Sequence, residues 1–212
     1  MTAHRSARDE ILGRVRSALA GVEPTPEPVV APRAVHDPPR SHAQVVDLFA
    51  ERVADYRAAV DRVAPADLAR HLASLFAATE RVVVPSGLDG VLRAAVSHPV
   101  VDEELSAAEL DTVDAVLTTA CVGIAETGTI VLDHGPGQGR RALTLVPDRH
   151  VCVVHADQVV PDVPDAMARL ATSVARGRPL TWVSGPSATS DIELTRVEGV
   201  HGPRVLHVVL VG

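Results

Sequence analysis

Short, valine-rich apolar runs alternate with segments of helical periodicity through most of this chain, and that alternation limits the folds open to it. Residues 82–84, 151–154 and 205–211 are apolar runs of strand length. Leu68 and Leu72, by contrast, keep the four-residue spacing of a helix face. Because a helix between two strands favours parallel pairing, the sequence predicts an α/β domain whose mostly parallel sheet is covered by helices.

The apolar pattern also predicts two finer features of this domain. Phe49, Val53 and Val60 keep helical spacing, which predicts one helix that reaches residue 60. The runs 128–133 and 141–146 flank a glycine-rich segment. That arrangement predicts a β-hairpin insertion.

A separate amphipathic helix is predicted near the N-terminus. Ile11, Val15 and Leu19 fall on one stripe of a helix that begins after Ser6. Six prolines between residues 21 and 40 rule out a helix or a central strand there, so this stretch is interpreted as a linker. The predicted organisation is an arm and linker over residues 1–41 and the α/β domain over residues 42–212. The stripe would be buried either on its own chain or on a second copy, in a homodimer.

Charge and residue usage exclude several function classes. The net charge of −7 opposes contact with a phosphate backbone, so nucleic acid is not an expected partner. The sequence contains no lysine, which excludes an internal Schiff base and a P-loop. Two cysteines cannot hold a four-thiolate iron–sulfur cluster. No apolar run reaches the roughly 20 residues of a membrane span, and no secretory segment is recognisable, so a cytoplasmic location is expected.

The first of three polar segments in the C-terminal half is Glu126-Thr127-Gly128-Thr129. Glu126 follows an apolar run and precedes a predicted strand. A carboxylate there can act as a nucleophile, a base or a hydrogen-bond acceptor for a ligand. The structural alternative is that Glu126 caps backbone amides while Gly128 adopts a positive φ.

The second segment is the glycine-rich stretch over residues 134–141. Its glycines allow backbone amides to approach an anion, and Arg140 or Arg141 can bind a carboxylate or phosphate through two parallel hydrogen bonds. The segment joins two predicted strands, so it does not match the dinucleotide-binding fingerprint. A hairpin turn explains the glycines equally well.

The third segment covers residues 184–193 and follows a predicted strand. Ser190 and Glu193 have capping-box spacing, which predicts a short helix. Ser187, Thr189 and Asp191 are in excess of that need, so this segment is expected to contact a ligand or a partner. Over the three segments, Asp191 is a candidate catalytic residue and the candidate ligand-binding residues are Thr127, Gly128, Thr129, Arg140, Ser184, Gly185, Ser187, Thr189 and Ser190. His201 lies between two glycines and is suited to proton transfer; the alternative is a turn residue that is hydrogen-bonded to a carboxylate. Since open α/β sheets bind ligands at the carboxyl ends of their strands, all three segments are expected to meet there.

A metal site at His150, Cys152 and His155 is not expected. Side chains two residues apart on a strand share a face, so His150 and Cys152 point one way and His155 points the other. Zinc needs three or four converging ligands. The sequence therefore predicts no metal site.

The order and spacing of the polar segments resemble the LutC/YkgG lactate utilization protein family, whose members carry a LUD domain. The resemblance covers residues 42–212 and rests on four stretches: Glu126–Thr129, Pro147–His150, Ser184–Glu193 and Gly199–Pro203. It implies a NagB/RpiA/CoA-transferase-like fold and a role in converting L-lactate to pyruvate alongside two iron–sulfur partner proteins. In that role this chain would bind no cofactor of its own. The resemblance assigns no role to any individual residue.

Three functional hypotheses remain. In the preferred one, the chain is a cluster-free component of a lactate-oxidising complex, and Glu126, Asp191 and His201 are its candidate catalytic residues. In the second, the chain is a free-standing enzyme resembling CoA transferases, with Glu126 as the nucleophile. In the third, the glycine-rich segment binds a nucleotide or phosphate.

Overall fold

The computed structural model of this chain describes residues 6–22, 39–189, 197–198 and 201–212. The chain divides into two units, Met1–Arg33 and Ala34–Gly212. In the first unit, helix α1 (Ala7–Leu19) begins at the predicted cap, where the Ser6 side chain accepts a hydrogen bond from the backbone N–H of Asp9. The apolar stripe of this helix is exposed.

The second unit confirms the α/β class. Its helices are α2 (His42–Asp55), α3 (Leu68–Leu75), α4 (Gly90–Ala94), α5 (Ala107–Leu110) and α6 (Val163–Ala175). Its strands are β1 (Ala59–Val63), β2 (Arg81–Pro85), β3 (His98–Asp102), β4 (Ala115–Thr119), β5 (Val122–Ile124), β6 (Thr129–Leu132), β7 (Arg149–His155), β8 (Val159–Val160), β9 (Thr181–Val183), β10 (Ala188–Thr189), β11 (Val197–Glu198) and β12 (Val205–Val211). Within the described ranges, no helix is long and apolar enough to cross a membrane.

The main sheet has six strands in the order β1-β12-β7-β4-β2-β3, and every neighbouring pair is parallel. Helix α2 packs on one face, where Phe49 lies in the same apolar cluster as Cys152 and Val208. Helices α3 and α4 pack on the other face, where Leu72 lies with Val209. The central strands are valine-rich because both of their faces are buried.

A second sheet of four strands, in the order β8-β5-β6-β9, lies beside the first. Strand β6 is antiparallel to both β5 and β9, and α6 packs against this sheet through Ala166 and Leu170. Strand β9 belongs to this second sheet and not to the main one. A two-stranded antiparallel ribbon, β10-β11, completes the strand pairings.

Two finer predictions were wrong. The predicted helix through Val60 stops at Asp55, because Arg57 adopts a positive φ of 67° and the chain then enters edge strand β1. The predicted hairpin between 128–133 and 141–146 does not form, since Arg141–Thr144 is a 3-10 helix. A hairpin does occur between β5 and β6, and the other edge of β6 is occupied by β9.

Candidate functional site

A cavity of about 290 Å³ opens at the amino ends of β7 and β12. His150 and Leu206, the second residues of these strands, are partners in the parallel register and both line the cavity. Trp182 of β9 lines it as well. The remaining polar lining comes from Arg141, Thr144, Thr181, Ser184, Ser187 and His201. Apolar walls with a few polar groups are typical of a small-molecule site.

His150 is the buried polar group of this cavity. The residue is 2% exposed, and its Nε2 lies 2.8 Å from the hydroxyl oxygen of Thr118 on β4. Burial lowers the pKa of His150 to about 4, so the imidazole is neutral near pH 7. As predicted, Cys152 shares the face of His150, because Thr118 contacts both, whereas His155 is exposed.

The serine-rich segment and the histidine turn are joined by two hydrogen bonds. The backbone N–H of Ser187 donates to the carbonyl oxygen of Pro203 at 2.8 Å. The Ser187 hydroxyl accepts from the backbone N–H of His201 at 3.0 Å. Gly185 has a φ of +83°, and a Cβ there would lie 2.6 Å from the Cβ of Tyr56, so only glycine fits. These contacts hold Ser184, Ser187 and His201 around one cavity.

Glu126 lies in a neighbouring, smaller cavity of about 240 Å³, which Tyr56 and Thr127 also line. Its Oε1 is 3.7 Å from the Arg40 guanidinium. A chain of hydroxyls connects the two cavities: Thr127 lies 2.7 Å from Thr129, which lies 2.8 Å from Ser184.

The glycine-rich segment lies at the other end of the main sheet. Arg140 binds both carboxylate oxygens of Asp102, the last residue of β3, at 2.8 and 2.9 Å. The bond from Arg140 is the main reason that the pKa of Asp102 is lowered. A cavity of about 540 Å³ is lined here by Arg140, Arg141 and Arg178. Since Arg178 also pairs with Asp133 at 3.1 Å, two of these three cations are already neutralised by carboxylates.

The amides of the glycine-rich loop are largely used within the loop itself. The N–H of Gly135 donates to the Asp133 carboxylate, and the N–H groups of Gln138 and Gly139 donate to the Gly135 carbonyl oxygen. The Gln138 side chain accepts from the Asp133 N–H. These bonds occupy three of the loop amides, which leaves fewer donors for a phosphate.

Arg141 lines both the cavity of His150 and the cavity of the glycine-rich segment, and it begins a chain of hydrogen bonds. Its Nη1 donates to the Thr181 hydroxyl oxygen at 2.9 Å, and the Nε2 of His134 lies 2.8 Å from that oxygen. The Nδ1 of His134 lies 2.8 Å from the Gly139 carbonyl oxygen, which only accepts, so Nδ1 carries the proton. The Thr181 hydroxyl therefore links Arg141 to His134. The guanidinium of Arg141 pairs with no carboxylate in the described part of the chain and faces the cavity of His150.

The predicted site residues that the structure describes fall into three groups. Ser184, Gly185, Ser187 and His201 line the main cavity, and Glu126, Thr127, Gly128 and Thr129 form the adjacent turn. Arg140 lies apart, at the carboxyl ends of the strands. Ser190, Asp191 and the side chain of Thr189 lie outside the described residues.

The expectation that the three segments meet over the carboxyl ends was therefore wrong. Among the described parts of the three segments, only the glycine-rich one lies there, since the Gly137 carbonyl oxygen accepts from the N–H of Thr119 at the end of β4. Sequence reasoning also missed His150 and Trp182 as lining residues. A histidine directly before a run of apolar residues in a predicted strand was the available signal for His150, because a buried strand seldom holds a polar ring without a partner.

Comparison with known proteins places the chain in a family. Residues 46–211 match the LUD domain. A lactate utilization protein C of Deinococcus radiodurans is 48% identical over 210 residues, which cover 97% of this chain and 96% of that protein. A lactate utilization protein C of Halalkalibacterium halodurans is 35% identical over 102 residues, 46% of this chain and 44% of that one.

A solved structure supports the same assignment. The crystal structure of a DUF162 family protein from Deinococcus radiodurans matches with a TM-score of 0.72 at 45% identity, and covers 82% of this chain and 100% of that one. The full-length relative and the domain match agree with the resemblance seen in the polar segments. The chain belongs to the LUD domain family.

Proposed function

We propose that this chain is the cluster-free component of an L-lactate utilization system and acts with iron–sulfur proteins that carry the electrons. The near-full-length similarity to a lactate utilization protein C supports the pathway. The observation that carries the molecular role is the cavity in which Arg141, His201 and two serines surround the neutral ring of His150. Its volume of about 290 Å³ accommodates a small carboxylate.

The cavity provides complementary groups for a 2-hydroxy or 2-oxo acid. Arg141 supplies a guanidinium that binds a carboxylate with charge-assisted hydrogen bonds. Ser184 and Ser187 supply hydroxyls that can form hydrogen bonds with the 2-hydroxy or 2-oxo oxygen of such an acid. His201 lies on the same wall and is suited to accept a proton. The floor beneath these groups is uncharged, because burial keeps His150 neutral.

Conversion of lactate to pyruvate releases two electrons and two protons, and this chain has poor ligands for an electron-carrying cluster. Cys152 is completely buried, and burial raises its thiol pKa to about 12. Burial also raises the pKa of Cys121. Iron–sulfur clusters bind thiolates, and these two cysteines resist ionisation. Their raised pKa values therefore favour a cluster that is held by a partner protein.

Reconstitution tests the proposed partnership. The chain is mixed with the iron–sulfur proteins of the same system, co-purified, and assayed for lactate oxidation with and without it. We expect a stable complex and a rate that depends on this chain. A complex that does not form, together with oxidation at an equal rate without this chain, would contradict the proposal.

Ligand binding is tested separately by calorimetry with L-lactate and pyruvate. Arg141→Gln is expected to weaken carboxylate binding by about tenfold or more, since hydrogen bonds to charged groups contribute roughly 1.5–3 kcal/mol. Arg93→Gln, an exposed arginine on α4, is the matched control and should bind as the native chain does. Equal affinities for the two variants would remove Arg141 from the site.

A further inference from the structure

We propose that Asp61, His71 and His207 form a binding site for a divalent transition-metal ion, with Zn²⁺ as the best fit. The Oδ2 of Asp61 lies 2.8 Å from Nε2 of His71 and 2.7 Å from Nε2 of His207. All three ligand atoms lie within 4.8 Å of one another. Neither the proposed lactate role nor the cavity of His150 uses any of these residues.

The fold brings the three residues together from distant parts of the chain. Strands β1 and β12 are parallel neighbours with Ala59 opposite His207, so Asp61 and His207 project from the same face. His71 is on α3, which lies on that face because its Leu72 packs with Val209. The site is therefore on the opposite face of the main sheet from His150, whose cavity wall includes Leu206.

The donor set matches the chemistry of zinc. Two imidazole nitrogens and one carboxylate oxygen are the ligands of several zinc sites in which a fourth position is left to water. Ligand atoms about 2.1 Å from a tetrahedral ion are roughly 3.4 Å apart. The present separations of 2.7 and 2.8 Å therefore need to widen by roughly 0.6–0.7 Å on metal binding.

A cation can reach the site from solvent, and the arginines beside the site pair with other carboxylates. The side chains of His71, Asp61 and His207 are 27%, 37% and 18% exposed, so an ion can enter from solvent. Asp61 places one carboxylate oxygen within 2.8 Å of the Nε2 atoms of both histidines, so all three donor atoms face a common point. The neighbouring arginines are engaged elsewhere, Arg62 with Asp47 and Arg70 with Asp67.

A bound ion would connect α3 to the edge of the main sheet. Among the described strands, β1 has only β12 as a neighbour, and β12 carries the third ligand. An ion held by both strands and by the helix binds the folded chain in preference to the unfolded one, so it raises the melting temperature.

The test uses the untagged full-length chain, freed of metal with a chelator. Calorimetry with Zn²⁺ alone should show one ion per chain, Co²⁺ should give the visible absorption of a tetrahedral complex, and Zn²⁺ should raise the melting temperature. His71→Gln and His207→Gln should each weaken Zn²⁺ binding by about tenfold or more. His98→Gln, an exposed histidine on β3, is the matched control and should bind normally.

Two results would overturn the site. One is the absence of stoichiometric Zn²⁺ binding by the native chain. The other is binding that survives unchanged in both histidine variants, which would place the ion elsewhere. Because His71 and His207 are partly exposed, circular dichroism should show both variants folded. Neither of these two results concerns carboxylate binding at Arg141. The metal site can therefore be disproved without contradicting the proposed role in lactate utilization.

Discussion

The hydroxyl oxygen of Thr118 lies 2.8 Å from Nε2 of His150, and this buried pair joins β4 to β7 beneath the main cavity. The two residues are 32 positions apart in the sequence. Because Thr118 and His150 are both buried, the Thr118 hydroxyl is the hydrogen-bond partner of this ring nitrogen. The pair fixes the orientation of the imidazole that forms the cavity floor.

Removal of this hydroxyl should destabilise the fold. Thr118→Val keeps the shape of the side chain but leaves a buried ring nitrogen without its partner, which costs about 1–3 kcal/mol. Urea unfolding measures the loss. Thr172→Val, at an exposed position of α6, is the matched control and should change stability by less than about 0.5 kcal/mol. An equal effect of the two changes would mean that the Thr118 contact contributes nothing.

The free energy of unfolding should fall with acidification between pH 6.5 and about 4. The pKa of His150 is about 4 in the folded chain against 6.5 in the unfolded chain, so the unfolded chain binds the extra proton in this window. Stability is then complete above pH 6.5 and decreases by about 3 kcal/mol towards pH 4. His150→Gln should flatten this slope.

Urea titrations at several pH values measure the slope. The exposed-histidine variant His98→Gln should keep it. The carboxylates with lowered pKa, such as Asp133 and Asp102, lose their contribution to stability from about pH 5 downwards, so the slope between pH 6.5 and about 5 reports on His150. An unchanged slope in His150→Gln would show that this ring is not the group responsible.

Gly128 should tolerate substitution far less well than Gly177. Both have positive φ, +56° and +67°, so alanine costs each about 1–2 kcal/mol of backbone strain. A Cβ on Gly128 would also lie 2.6 Å from the carbonyl carbon of Arg52, whereas Gly177 has open space. We therefore expect Gly128→Ala to cost about 3 kcal/mol or more in thermal or urea unfolding. Equal losses would show that the turn moves freely away from α2.

Glu126 should not form a thioester. It pairs with Arg40 and lines a cavity separate from that of Arg141 and His201. Mass spectrometry after incubation with an acyl-CoA should therefore find this residue unmodified. Glu126→Gln, treated identically, gives the background. A hydroxylamine-sensitive adduct that appears on the native chain and not on this variant would favour the transferase hypothesis.

Local sequence patterns were enough to predict many individual elements. Ser6 was identified as the start of α1, and the valine runs predicted β2, β7 and β12, because capping and side-chain periodicity depend on near neighbours alone. The opposite orientations of Cys152 and His155 also follow from the two-residue repeat of a strand. Family membership was recognisable from short polar segments for a similar reason, since their order is a property of the chain itself.

Tertiary structure decided where those elements lie. Whether β9 joins the main sheet or pairs with β6, and whether a polar segment reaches the amino or the carboxyl ends of the strands, depends on long-range pairing that periodicity does not encode. Asp61, His71 and His207 illustrate this most clearly, since no spacing in the sequence connects residues 61 and 207. The parallel register of β1 on β12 and the packing of α3 bring them together, because burial of apolar faces selects one arrangement of the strands.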